Sequence, residues 1–384
     1  MSTESYKHNI LRNYTSDSAV IDELITYTHN KFTEHRKDDS IAVINRHLSS
    51  FSDNLLDASE FSSVFEALKT NWVKFHFPIQ KGISTHAEYK QVTLKGVTVE
   101  ELTIASGLQL KAPEKLELST YNSIAGSIAL LIVPCDEDFK TIIRALCHQN
   151  EPAEIPDSMG AAMIKGIINW NRILSLKEDW RKTNTTGSWG EYFKNHILPY
   201  PDLYKDKVIV LSTKPYSNVK AEEFNLNEKD WIKHSINIRL FHECFHLFSL
   251  KQYGAMANNM HDELIADYYG IRSSIGSFNK EWLLKFIGLE NYPSYRTGAR
   301  LENYLGNPAL SEEAFKILQT ILKKAIDNLY VFDQTLGTTL SDTEMILILK
   351  TLCSIDLLTL SSTNGAELLA SKYEKLLHTT YHRI

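Results

Sequence analysis

Two histidines four residues apart, with a glutamate beside the first, set the chemistry this chain could perform. They stand in His242-Glu243-Cys244-Phe245-His246, inside a stretch with helical patterning. Four residues turn a helix slightly past one full turn, so both imidazoles project from one face. Two nitrogens so placed suit two corners of a zinc tetrahedron, and Glu243 can reach a metal-bound water as general base. A third ligand follows in His261-Asp262-Glu263-Leu264-Ile265-Ala266-Asp267, a second helical segment on which Glu263 and Asp267 share a face. His261 points about 200° away from Glu263 on such a helix, so only one of them can serve, and Asp267 on the same face favours Glu263.

The surroundings of the motif fit a working site. Arg239, His242, Glu243 and His246 gather on one arc of the helix, and Ile238, Phe241, Phe245 and Phe248 fill the opposite arc. A merely solvated polar arc is the plain alternative. Leu240 and Leu247 narrow that arc, however, and imply that both sides of the helix are covered. Buried imidazole and carboxylate groups need partners, and a metal supplies one. Cys244 lies half a turn from the histidines and should face the core. His234, more than two turns before His242, reads as a structural histidine.

The paired motif resembles the zincin metallopeptidases, and within them the glutamate-ligand group typified by thermolysin. His242, Glu243 and His246 match its first helix. Glu263 and Asp267 match the second, with Asp262 where that group usually has asparagine. The Glu263–Gly270 run is also similar to the second helix of compact intracellular peptidases that cleave repressor proteins. The resemblance covers residues 227–270. It implies one Zn2+ per chain held by His242, His246 and Glu263, with Asp267 accepting the remaining imidazole N–H of a ligand. It further implies an oxyanion-stabilising side chain, for which Tyr268, Tyr269, Tyr292, Tyr295, Arg296 and Arg300 are candidates; Tyr269, Tyr295 and Arg296 are put forward. The strand before the motif helix would line the cleft and pair with extended substrate. The third histidine of the metzincins is absent. Gly254-Ala255-Met256-Ala257-Asn258 has a likeness to an aminopeptidase loop, but it lacks the glutamate and follows the motif instead of preceding it.

The remaining chain must position these residues. With 384 residues, 43% hydrophobic and 23% charged, it reads as an ordinary globular protein of two or three domains, or of one large domain with insertions. A net charge of −6 argues against non-specific nucleic-acid binding. No run of 18 apolar residues and no signal-like N-terminus occurs, so no membrane association is expected and the cytoplasm is the expected compartment. Cys135, Cys147, Cys244 and Cys353 lack metal-ligand spacing and read as reduced thiols.

The expected fold is α+β and predominantly helical, with a zincin-like catalytic core at 151–275, a helical and strand-bearing region at 1–150 and a helical region at 276–384. Residues 1–16 read as loose and 17–75 as helical, including Ile41 and Val43-Ile44. Strands are expected at 89–94, 97–99, 116–118, 128–133 and 207–212, and helices at 136–147 and 158–180. The motif helix should run from an Asn227 N-cap to a Gly254 stop, with further helices near 279–287, 297–305, 311–333, 341–360 and 365–380. The expected activity is zinc-dependent hydrolysis of peptide bonds in a restricted set of intracellular proteins. A non-hydrolytic zinc-bearing recognition module and a zinc hydrolase of non-peptide amides are the alternatives. Oligomeric state is not legible.

Overall fold

The computed structural model describes residues 3–33, 61–98, 102–183, 187–254, 256 and 259–381. In chain order its elements are α1 (Thr3–Leu11), α2 (Ser18–Tyr27), α3 (Val64–Asn71), α4 (Ala87–Lys95), β1 (Glu117–Ser123), β2 (Gly126–Val133), α5 (Asp136–Cys147), β3 (Ala161–Ile168), α6 (Trp170–Thr183), α7 (Trp189–Tyr192), β4 (Lys205–Ser212), α8 (Glu228–Tyr253), α9 (Met260–Ile275), α10 (Lys280–Ile287), α11 (Glu312–Asp333), α12 (Asp342–Cys353), α13 (Leu357–Leu360) and α14 (Gly365–Tyr381). The class is α+β, predominantly helical, with one small mixed sheet. Among the described residues, no helix is long and apolar enough to cross a membrane.

Two compact units form, one from residues 1–44 with 215–384 and the other from 45–214. They cut across the boundaries expected at 150 and 275. The strands β3 and β4 fall in the second unit, whereas α8 and α9 fall in the first.

The second unit is built on a four-stranded sheet of order β1-β2-β4-β3. The β1–β2 hairpin is antiparallel, β2 and β4 run parallel, and β3 returns antiparallel to β4. Val208, Ile209, Val210 and Leu211 are all fully buried, which explains the unbroken apolar run of a strand covered on both faces. Leu131, Val133, Val208 and Val210 pack with Phe139, Ile142 and Ile143 of α5, and with Trp72 and Phe75. From Val208 to Leu211, β4 is paired along both edges, which leaves no edge there to receive an extended substrate, contrary to the expectation for this strand.

Three local expectations fail for identifiable reasons. Residues 89–94 are helical. The His86 side chain caps α4 by accepting from the Glu88 N–H, Gly96 closes it at φ 67°, and Tyr89, Val92 and Thr93 bury one face at helical spacing. Residues 161–168 form β3 in place of the expected helix, because pairing with β4 overrides local propensity. A bulge between Lys165 and Ile167 admits Gly166 at φ 85°. Thr3–Leu11 is helical, with Leu11 buried, in place of a loose terminus. Ile41, Val43, Ile44 and Val99 lie outside the described residues, as do Ala255, Ala257 and Asn258 of the aminopeptidase-like loop.

The first unit is helical and centres on α8 and α9. Asn227 caps α8 by accepting from the Asp230 N–H, and Gly254 at φ 72° ends it. From Ile238 to Ser249 every residue of α8 except Phe241 is buried, and so is every residue of α9 from Met260 to Arg272. Helices buried all round lie at the centre of their unit. The two can approach because position 270 is glycine: a Cβ there would sit 2.7 Å from the Ile238 carbonyl oxygen and 3.1 Å from Ile238 Cγ2. The helices expected at 279–287, 311–333 and 365–380 form as α10, α11 and α14. Residues 341–360 split into α12 and α13, and 297–305 shrinks to a 3-10 turn, Arg300–Tyr304.

Candidate metal centre

His242 and His246 leave α8 one turn apart, and their Nε2 atoms lie 3.1 Å from each other. Glu263 comes from the first turns of α9, behind the Asn259 N-cap. Its Oε2 is 3.4 Å from His242 Nε2 and its Oε1 is 3.6 Å from His246 Nε2. Ligand atoms of these three buried residues all lie within 4.8 Å of one another. Metal–ligand bonds of about 2.0–2.1 Å at tetrahedral angles require ligand atoms ~3.3 Å apart, and the observed spacings bracket that value.

The far side of each imidazole meets a carboxylate. His242 Nδ1 is 2.9 Å from Asp267 Oδ1 and 3.2 Å from the Tyr216 hydroxyl. His246 Nδ1 is 3.2 Å from Asp262 Oδ2. Asp267 at 2.9 Å favours the proton on His242 Nδ1, whereas His246 Nδ1 faces Asp262 without hydrogen-bond geometry. Neutral imidazoles with both protons on Nδ1 would turn two Nε2 lone pairs and a carboxylate on the shared space, a set that suits a cation. Charge points the same way. Glu243 (7% exposed), Asp262 (1%), Glu263 (4%) and Asp267 (0%) are buried within this stretch of two helices. Arg300, with a side chain 10% exposed, pairs with Asp267, while Arg239, 2% exposed, donates to the Pro215 carbonyl. A divalent ion would find buried carboxylates around it. The residues present therefore fit a metal.

Burial raises the Glu263 pKa, and without a metal the protonated imidazoles of His242 and His246, together with Arg300, bring the carboxyl down to about 2. Burial disfavours a charge on His246, and Asp262 overcomes that, so its pKa rises. Glu243 is buried next to His242 and lies outside the three-donor cluster, as a base should if it is not a ligand.

Other expectations can be placed. Cys244 is fully buried. The His234 Nδ1 lies 3.1 Å from Ser274 Oγ. His261 packs edge-on against Phe32, and burial pushes its pKa down to about 4. The oxyanion candidates mostly engage other partners. Tyr268 donates to Asp333. Tyr269 is buried edge-on to Phe241. The Tyr295 hydroxyl faces the Ala299 carbonyl, and Tyr292 is bonded to Thr320. Arg296 pairs with Glu290 on the surface.

The structure brings other residues against the donors. Arg300 pairs with Asp267 through Nη2 and donates to the Tyr216 hydroxyl at 2.8 Å. Tyr216 in turn donates to Asp267 Oδ1 at 2.6 Å. Tyr304 donates to Glu263 Oε2 at 2.8 Å. Tyr216 sits on a turn after Pro215, where its backbone N–H donates to Ser235 Oγ, seven residues before His242 on α8. No sequence spacing ties Tyr216 or Tyr304 to the motif. Asp262 was legible as a residue but not as the partner of His246.

The chain belongs to a family of unknown function (DUF7005), which matches residues 9–364 and so runs through both units. No curated protein matches the chain, and no solved structure does.

Proposed function

We propose that this member of the family is a zinc-dependent hydrolase of peptide bonds, acting inside the cell on a restricted set of protein substrates. The observation that carries the reading is the donor set itself. His242, His246 and Glu263 supply three ligands within one cluster, and a buried glutamate, Glu243, adjoins the first of them. Structural zinc sites are closed by four protein ligands, whereas hydrolytic sites keep a position open. The zincin reading of the fold rests on α8 and α9, a long helix bearing the histidine pair followed by one bearing Glu263 and Asp267.

Bound zinc would supply a Lewis acid and lower the pKa of water toward ~7. The chain's own groups would do the rest. Asp267 keeps the His242 Nδ1 proton in place and Asp262 lies beside His246 Nδ1, so that each Nε2 would face the site as a metal ligand. Glu243 takes the proton of the attacking water and passes it to the departing amine. Arg300 keeps Asp267 paired while Asp267 orients His242. Exposures of 4–7% at the three ligands and Glu243 support narrow access and thus narrow specificity. The four cysteines carry no disulfide, which suits a reducing compartment.

The test compares new protein termini in cells expressing wild type or Glu243→Gln. Termini confined to wild type, at a few sites in few proteins, are expected. Identical termini with both forms would overturn hydrolysis and leave a recognition module.

A further inference from the structure

Among the three proposed ligands, Glu263 alone has two equivalent donor atoms, and both face the imidazoles. Oε2 lies toward His242 and Oε1 toward His246. Their environments differ. The Tyr304 hydroxyl donates to Oε2 at 2.8 Å. An O–H bond to one carboxylate oxygen draws density from it and holds the group's plane, leaving the other oxygen the better ligand.

Tyr304 is itself held from outside the site. It ends the 3-10 turn Arg300–Tyr304, and its carbonyl oxygen accepts from the Tyr27 hydroxyl at 2.6 Å, across 277 residues of sequence. One turn earlier on α2, Glu23 accepts from the Ser311 N–H at 2.5 Å and from Ser311 Oγ at 2.7 Å, at the N-cap of α11. A single helix therefore grips both ends of the 304–311 segment. Gly306, at φ 88°, lies under the Tyr27 ring, where a Cβ would come within 3.5 Å of it.

We propose that Tyr304 is a positioning residue that restricts Glu263 to one-oxygen ligation through Oε1, and that Tyr27 fixes Tyr304 for this task. The consequence is an open coordination position, since a carboxylate binding through both oxygens would fill it. The proposal rests on the metal-centre reading above. It makes the N-terminal segment part of the centre, though that segment contributes no ligand.

The experiment uses the full chain, stripped of metal and titrated with zinc(II) against a chromophoric chelator. Cobalt(II) is titrated in parallel, because its visible bands report coordination number. Tyr304→Phe should keep the wild-type circular dichroism, while its cobalt bands weaken as a second carboxylate oxygen joins. Its zinc affinity should fall roughly 10-fold. Tyr27→Phe, which leaves the Tyr304 hydroxyl and Glu263 in place, should change the bands in the same direction by less. Wild-type cobalt bands in folded Tyr304→Phe would overturn the proposal, whether or not affinity changed, because a packing role alone leaves coordination number untouched. Should Tyr304→Phe fail to fold, unchanged bands in Tyr27→Phe would overturn it. Unchanged bands in Tyr27→Phe beside altered ones in Tyr304→Phe would remove Tyr27 from it. Wild-type protein that binds neither ion is a different failure and would sink the metal centre itself.

Discussion

Both units bury carboxylates, and they treat them differently. In the sheet unit, Asp206 at the start of β4 is 3% exposed. Its Oδ2 accepts from Trp72 Nε1 and Asn169 Nδ2, each at 3.0 Å, and its Oδ1 from Arg172 Nη2 at 2.6 Å. Acceptors are matched by donors, and the arginine balances the charge. In the helical unit, Asp333 closes in the same manner on Arg272, Tyr268 and the Phe278 N–H. The cluster of His242, His246 and Glu263 does not close. Its two imidazole Nε2 atoms lie 3.1 Å apart with the Glu263 carboxylate beside both. A polar network complete in itself supports the fold, whereas one whose ligand atoms converge on a shared space suits an ion from outside the chain.

That contrast can be broken most sharply at the histidines. His242→Ala combined with His246→Ala should abolish zinc binding by metal analysis, and full metal content in the double variant would remove the centre. Glu243→Gln should retain zinc while peptide hydrolysis falls by ~10²-fold or more; loss of metal in step with activity would make Glu243 structural. In the closed network, Asp206→Ala leaves Arg172 and Trp72 without their acceptor and should cost about 3 kcal/mol, seen as a lower melting temperature. The loss should be the same with zinc or with a chelator present, and a zinc-dependent loss would erase the distinction between the units. Asp267→Ala should weaken zinc binding roughly 10–100-fold, because His242 loses the partner that orients it. Unchanged affinity would show that Asp267 serves only Arg300 and Tyr216. The smallest effect is expected at Gly270→Ala, which forces α9 away from the Ile238 carbonyl and should cost about 1–3 kcal/mol by chemical denaturation.

The convergence of His242, His246 and Glu263 could be read from the sequence because these proposed ligands follow helical arithmetic. The spacing of His242 with His246, and of Glu263 with Asp267, places side chains on shared faces whatever surrounds them. The caps were legible too, since Asn227 and Gly254 do what their types allow at helix ends. Residues brought in by tertiary folding left no such mark. Tyr216 reaches Asp267 from a turn, and Tyr304 reaches Glu263 from a turn beyond α10. In the sheet unit, a short apolar stretch without strong alternation, Ala161–Ile168, fits helix and strand alike until β4 pairs with it. The strand misreading of 89–94 has another cause. Tyr89, Val92 and Thr93 are β-prone by type, but the His86 cap and the Gly96 stop enclose a helix whose one face they bury.

The helical unit is made from both ends of the chain, residues 1–44 and 215–384, with the sheet unit between them. During translation the sheet unit has all its parts once residue 214 has left the ribosome, whereas α2 must wait for its partners. At 5–20 residues per second, residues 45–214 alone take roughly ten to thirty seconds to synthesise. Phe32 cannot meet the ring of Phe245 until that interval and the time to make α8 have passed, and Tyr27 must wait for α9, α10 and the Arg300–Tyr304 turn as well. A nascent chain can therefore display both histidines before it has the residues that finish their surroundings. Whatever chemistry the centre performs is deferred until Tyr304 has been made and has reached Glu263.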